Sequence, residues 1–264
     1  MKAKIVDSKE IVKMNREMIA EQNNEKWFEK NAFGDCMADK EFQKIAENFL
    51  CGDILEQGEL SDKQKALVIL TALTTCQMFP SIMKYTLAAL RVGAKPEEIK
   101  ETLYQCTPYI GIEKIRCALT EVNRAFQQAG ILQEQEKQGT VTETTRLEKG
   151  LAVQQKIFGE DNINAMRAAA PEELKMIQDY LSAWCFGDFY TRKVLDLKMR
   201  ELITFCAICC LGGCEPQAKA HVGANIHVGN TREILIAAVT QCLPFIGFPR
   251  TLNAISCIDE VTKK

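Results

Sequence analysis

The sequence predicts an all-α protein made of two tandem copies of one helical unit, and three observations carry that expectation. Apolar residues recur at three- and four-residue spacing in segments such as DKQKALVILTALTTC and EEIKETLYQC, the period of a helix with a buried face. The apolar/polar alternation of a half-buried strand is missing. Finally, VGAKPEEIKETLYQCTPYIGIEKIRCAL (92–119) returns as VGNTREILIAAVTQCLPFIGFPRTLNAI (228–255), shifted by 136 residues without a gap, which marks duplication of a folding unit.

The breakers fall at matching places in the two copies. Gly93 and Gly229 read as glycines just beyond a helix C-terminus, Pro108 and Pro244 end the next helix, and Gly111 and Gly247 make the following turn. Pro96 occupies a first helical position, and Asn230 with Glu233 three residues on resembles a capping box. A weaker echo extends the repeat upstream, from residues 33–53 to 158–188, with an insertion near 167–171 in the second version. Between the copies, GILQEQEKQGTVTETTRLEKG (130–150) is polar and poor in large apolar residues, as a solvated connection should be, although its flanks can be helical. The division that follows is a first, degenerate repeat over 1–135, a polar connection over 136–150, and a second repeat over 151–264 that carries the candidate site.

Bulk properties narrow the function. A net charge of −2, from 33 basic and 35 acidic residues, offers no electrostatic footprint for nucleic acid or anionic membrane. The N-terminus is charged throughout rather than signal-like, and no later stretch approaches the ~20 apolar residues that span a bilayer. A cytoplasmic protein is expected, so the 12 cysteines should be mostly reduced thiols rather than a disulfide framework. Cys106 and Cys242, inside apolar helical runs, read as small core residues.

Chemistry concentrates in the second copy. The only histidines, His221 and His227, follow the cluster FCAICCLGGC, which supplies Cys206, Cys209, Cys210 and Cys214. Gly212 and Gly213 break one helix and Pro216 suits the first turn of the next, so Cys214 lies at a helix N-terminus. There the partial positive charge favours a thiolate. On the helix that follows, Gln217 shares a face with His221, whereas His227 is rotated from it by about 120°. Cys214 precedes His221 by seven residues, roughly the same azimuth but about 10 Å along the axis, so direct bonding between them is not expected. Glu201 stands at a polar-to-apolar edge, where a bland role is a solvated charge or a partner for Arg200 or Lys198. No metal site is expected, because the Cys206/Cys209 C-x-x-C pair sits within a helix and lacks a second pair. In the first copy, Lys65, Met78, Ser81 and Tyr85 occupy the positions of Glu201, Cys214, Gln217 and His221.

The run from Arg200 to Ile255 resembles the carboxymuconolactone decarboxylase and alkylhydroperoxidase D superfamily: a helical Glu, a turn between helices, a His, a Gly, then aromatic-x-Gly-x-Pro as Phe245, Gly247 and Pro249. The likeness is strong in the second half; the first retains Gly93, Pro108, Tyr109 and Gly111. It implies an all-helical, oligomeric protein with a site between packed helices. In the redox branch a C-x-x-C pair precedes the His, and Glu and His relay protons. Carried over, Glu201, His221 and Cys214 match, but Gln217 replaces the second cysteine. The decarboxylase branch often has Gln there and no catalytic cysteine.

Two activities follow from the resemblance, each using a small-molecule substrate without a cofactor. In the first, a thiol-dependent oxidoreductase with peroxiredoxin-type activity, Cys214 attacks a hydroperoxide, His221 and Glu201 move protons, Cys210 resolves the sulfenic acid, and a thiol reductant restores the pair. In the second, a lyase, His221 is the acid or base on a small carboxylated lactone, with Gln217 and Arg250 orienting a carboxylate or enolate. A third reading is a non-catalytic helical homo-oligomer.

Overall fold

The computed structural model describes residues 8–28, 39–131 and 136–263, and all regular structure among them is helical. The first half contains α1 (Ser8–Trp27), α2 (Lys40–Glu47, continuing as a π-helical stretch Asn48–Ile54), α3 (Asp62–Thr75), α4 (Phe79–Arg91), α5 (Pro96–Ile110) and α6 (Ile112–Gln128). The second contains α7 (Arg146–Phe158), α8 (Glu160–Ala169), α9 (Lys175–Tyr180, continuing as π-helical Leu181–Tyr190), α10 (Leu197–Leu211), α11 (Glu215–His227) and α12 (Arg232–Thr262). Helix α12 is broken at Gly247 (φ 73°, ψ 169°), so its limbs 232–246 and 248–262 stand in register with α5 and α6 at the 136-residue offset. Helices α4 and α11 keep the same register. The insertion expected near residues 167–171 falls between the end of α8 and the short 3₁₀ turn Glu172–Leu174. The start of the first-copy echo, residues 33–38, lies outside the described residues. The polar connection is already helical from Arg146.

Most helix ends follow the residues that suit them. Ser61 and Gln64 form a reciprocal capping box on α3, Asp196 accepts from the Met199 N–H at 2.9 Å on α10, and Pro96 opens α5. Two expectations are corrected. The N-cap of α12 is Thr231, not Asn230, whose amide instead donates to the Lys198 carbonyl and to Asn225 Oδ1. Pro108 and Pro244 lie inside their helices, which stop only at Gly111 and Gly247, where φ turns positive. A proline within the last turn removes one donor, whereas a backbone at positive φ ends the helix outright.

One core serves both copies. Helices α3 and α10 pack against each other at its centre, and α10 is buried continuously from Met199 to Cys210. The third helix of each unit packs on both central helices: α5 on α3 and α10, and α12 on α10 and α3. Each half therefore completes the surroundings of the other half's central helix.

By length and apolar composition α12 does meet the requirement for a membrane span, contrary to the expectation from sequence that no stretch approaches it. The break at Gly247 divides it into limbs shorter than the ~20 residues a bilayer requires, and its first limb is packed into the shared core through residues such as Leu235, Val239 and Cys242.

The helix preceding the core is locked on by backbone contact. At the crossing of α7 with α9, a Cβ at Gly150 would lie 1.9 Å from the Ser182 carbonyl oxygen, and one at Gly187 would lie 2.3 Å from the Arg146 carbonyl oxygen. Matching ion pairs flank this crossing and its first-copy counterpart, Arg146 with Asp188 and Arg16 with Asp53. Gly187→Ala should lower stability by about 1–3 kcal/mol or more, since backbone must move to admit the methyl. Gly223→Ala on α11, where nothing lies within 4 Å of the added carbon, should be neutral or stabilising. Urea denaturation of both variants checks the contrast, and equal midpoints would overturn it.

Candidate functional site

The site is built around a carboxylate that helix α10 carries into the core. Glu201 has no exposed surface, and a buried charge must be paired and hydrogen-bonded. Its Oε2 lies 2.7 Å from His221 Nδ1, and its Oε1 accepts from the Tyr190 hydroxyl at 2.7 Å. Glu201 is thus neither a solvated charge nor the partner of Arg200, which turns instead to Glu101. Asn225, one helical turn beyond His221, donates to the Glu201 carbonyl at 3.0 Å and the His221 carbonyl at 2.7 Å, tying α11 to α10.

Aromatic rings fix the imidazole. Phe158 at the end of α7 and Tyr109 from α5 of the first repeat meet it edge-on, with centroids at 5.3 and 5.7 Å. Tyr109 and Tyr190 share a hydrogen bond of 3.1 Å, and Cys185 donates to the Tyr109 oxygen at 3.5 Å. Burial, reinforced by nearby ionisable groups including Glu201, pushes both phenols well above their ordinary range, so they remain protonated donors. Burial likewise pushes the Cys185 thiol up to about 12. With Nδ1 held by a carboxylate, Nε2 is the ring nitrogen of the nearly buried His221 that makes no hydrogen bond among the described residues.

The polar contacts continue away from the histidine. Thr204 bonds to Tyr190 at 3.0 Å and accepts from Gln105 at 3.1 Å, and the Gln105 carbonyl accepts from Arg200 at 2.9 Å. Arg200, fully buried, also reaches Glu101 at 3.1 Å and the backbone carbonyls of Leu195, Arg192 and Lys193. Arg192 closes the series on Glu101 at 2.8 Å.

The corresponding place in the first copy has the same shape and none of the chemistry. Tyr85 sits between Phe28 at 5.4 Å and Phe245 of the second repeat at 5.6 Å, both edge-on, mirroring His221 between Phe158 and Tyr109. Lys65 replaces Glu201 and bonds to the Leu55 carbonyl.

Of the other residues expected at the site, Cys214, Cys210 and Arg250 lie away from the dyad. Cys214 is the N-cap of α11, as expected, but its sulfur points to the Gly212 carbonyl at 3.5 Å. It lines a narrow cleft with Cys209, Ala218, Arg250 and Cys257, apart from the His221 cluster. Arg250 donates to the Cys210 carbonyl at 2.8 Å. Gln217 is exposed, and Cys210 is buried against Cys242 and Cys76. His227 is exposed at the far end of α11. Sequence reasoning missed Tyr190, Asn225, Phe158 and the role of Tyr109. Only Asn225 had a local signal, the four-residue spacing from His221 that shares its face. No group of three or more metal-ligating side chains is found among the described residues.

A duplicated helical fold with a buried Glu–His dyad in one copy defines the class, and the comparisons supply the family. Residues 40–124 and 176–260 each match the Carboxymuconolactone decarboxylase family, so the chain belongs to it, twice over. Among individual proteins it is similar to a 4-carboxymuconolactone decarboxylase of Acinetobacter baylyi, at 25% identity over 118 residues, which covers 45% of this chain and 87% of that protein.

The dyad makes a prediction independent of turnover. In Glu201→Gln, with the amide carbonyl accepting from Tyr190, the amide N–H₂ faces Nδ1, so the imidazole proton should move from Nδ1 to Nε2. With only two histidines in the chain, ¹⁵N chemical shifts of the ring nitrogens at pH 8 read this directly. An unchanged tautomer would show that Glu201 does not set it.

Proposed function

We propose that the protein is a cofactor-independent lyase that uses His221 as acid and base on a small carboxylated lactone or a related acid. The observation that carries this reading is the 2.7 Å bond between Glu201 Oε2 and His221 Nδ1 inside a cage of aromatic rings. Loss of CO₂ from such an acid leaves an electron pair delocalised onto a neighbouring carbonyl as an enolate. A proton must then be delivered to carbon. Imidazolium Nε2–H can deliver it, with the positive charge on the ring stabilised by the Glu201 carboxylate, and Nε2 of the neutral ring can act as base in the reverse sense. Tyr190 and Asn225 are positioning residues, since both touch Glu201 or the backbone of the dyad rather than His221 Nε2. The similarity to a 4-carboxymuconolactone decarboxylase supports the substrate class.

A peroxidase that couples Cys214 to His221 and Glu201 is less well supported. The Cys214 sulfur occupies the cleft with Arg250 and Cys257, and no hydrogen bond among the described residues joins it to the dyad.

CO₂ release from 4-carboxymuconolactone and a panel of related carboxylated lactones tests the lyase. His221→Ala should reduce turnover by about 10²–10⁴-fold, the usual contribution of a positioned acid or base, while Tyr85→Phe in the degenerate copy leaves it nearly intact. Equal losses would sink the single-site reading, and no turnover across the panel would sink the substrate class. Tyr190→Phe removes a hydrogen bond to a charged group, worth about 1.5–3 kcal/mol, so kcat should fall by about 10–150-fold with KM little changed; a rise in KM alone would give Tyr190 a binding role instead.

The protein is also proposed to assemble as a homo-oligomer. Both copies leave the same helix face open, with Phe42 and Ile45 on α2 and Ile177 and Tyr180 on α9 all at least half exposed, and such apolar surface favours association. Light scattering should give a multiple of 29.7 kDa; a stable monomer on dilution would contradict it.

A further inference from the structure

A cavity of about 420 Å³ opens beside the first half of α5, away from the Tyr109 end that meets His221. Glu97, Lys100, Glu101 and Tyr104 of α5 line one side, residues of the inter-repeat connection between 136 and 141 line another, and Arg192 completes it. The connection is strapped across the turn after α9: the Lys193 N–H donates to the Gln138 carbonyl at 3.1 Å and the Thr140 hydroxyl to the Thr191 carbonyl at 2.9 Å. Both repeats and the segment joining them therefore build this space, whose size is that of small-molecule sites. Arg192 reaches it with one edge of its guanidinium already committed. Nε lies 2.9 and 3.1 Å from the two Glu101 oxygens, and Nη2 lies 2.8 Å from Oε1. The group rests over the Tyr104 ring, with Cζ 5.0 Å from the centroid, which fixes its orientation. Nη1 makes no hydrogen bond among the described residues and lies 3.7 Å from where a Cβ on Gly139 would stand, so the outer edge faces the connection. The charges do not cancel here. Lys100 and Lys137 are matched in number by Glu97 and Glu136, but the buried Glu101 is shared by Arg192 and the fully buried Arg200, which leaves one positive charge over.

We propose that this cavity is a binding site for a small organic monocarboxylate with a flat apolar body, held by the outer edge of Arg192. The carboxylate accepts two parallel N–H···O bonds, from Nη1 and from the second Nη2 hydrogen, the bidentate geometry that suits a guanidinium. Its single negative charge matches the excess, whereas a phosphate dianion would meet the exposed Glu97 and Glu136 with a charge left uncompensated. Its body lies against Tyr104 and Val141, the apolar part of the lining. The site shares no residue with the Glu201–His221 dyad or with the rings around the imidazole, and it stands or falls independently of the lyase reading.

The test is titration of the full-length chain with benzoate, followed by calorimetry and by ¹H–¹⁵N spectra. Saturable binding with a Kd of about 1 mM or tighter is expected, and it should move the Gly139 amide and Arg192 Nε resonances most. Arg192→Lys keeps a charge beside Glu101 but removes the planar fork, and should weaken binding about tenfold or more. Gly139→Leu, at an exposed position, sets a branched side chain over Nη1 and should weaken binding by a similar factor with the Arg192–Glu101 pair untouched, so that a loss in both variants does not come from misfolding. His221→Ala should bind benzoate as the native chain does. Benzamide, which lacks the charge, and inorganic phosphate, which lacks the apolar body, should each bind about tenfold more weakly or worse. Benzoate that fails to saturate, that binds both Arg192→Lys and Gly139→Leu undiminished, or that is lost in His221→Ala alone would overturn the proposal, as would phosphate binding as tightly as benzoate.

Discussion

Glu201 is the constraint around which the second repeat is arranged. A carboxylate at zero exposure carries a desolvation penalty of several kcal/mol, tolerable only when its oxygens are matched by donors of good geometry. Those donors come from two other elements, Tyr190 from the end of α9 and His221 from α11, while Asn225, also on α11, clasps that helix to the backbone of α10. Moving any one of these helices would strand a buried charge. The π-helical stretch that ends at Tyr190 and the turn from 191 to 196 therefore matter to the site as much as the histidine helix does.

The same logic runs outward from the dyad and ties the copies together. Gln105 and Glu101 belong to the first repeat, and they satisfy Thr204 and Arg200 of the second. Breaking a buried pair such as Arg200 with Glu101 leaves an uncompensated charge, a loss of about 3–5 kcal/mol. The duplicated chain has thus made each repeat a structural part of the other's site. At the His221 end the first repeat contributes Tyr109; at the Tyr85 end the second contributes Phe245. Divergence has kept the packing shape at both places while confining the acid–base groups to one, because an edge-on ring can be Tyr or His without repacking, whereas a buried carboxylate requires its whole set of donors.

The cysteines divide along similar lines. Cys185 is near the dyad but held as a thiol by burial, Cys214 opens into a separate cleft, and Cys76 Sγ approaches the Cys210 carbonyl only because α3 and α10 pack side by side. Proximity in sequence, which groups Cys206, Cys209, Cys210 and Cys214, therefore says little about the surroundings of each sulfur.

By itself the sequence determined the helical class, the duplication and its 136-residue register, the glycine breaks, and the Glu201/His221 asymmetry between copies. These are legible because helix periodicity, positive-φ glycines and one-for-one substitutions at a fixed offset are local properties of the chain. Only the tertiary structure decided that Glu201 and His221 touch, that Tyr190 and Tyr109 complete the site, that Arg250 lies in a separate cleft, and that Cys76 meets the end of α10. Sequence could place residues on a helix face but not say which helix lies opposite that face. The physical reason is that α5 and α12 each pack on both central helices, which follows from burying α3 and α10 in one shared core rather than in two.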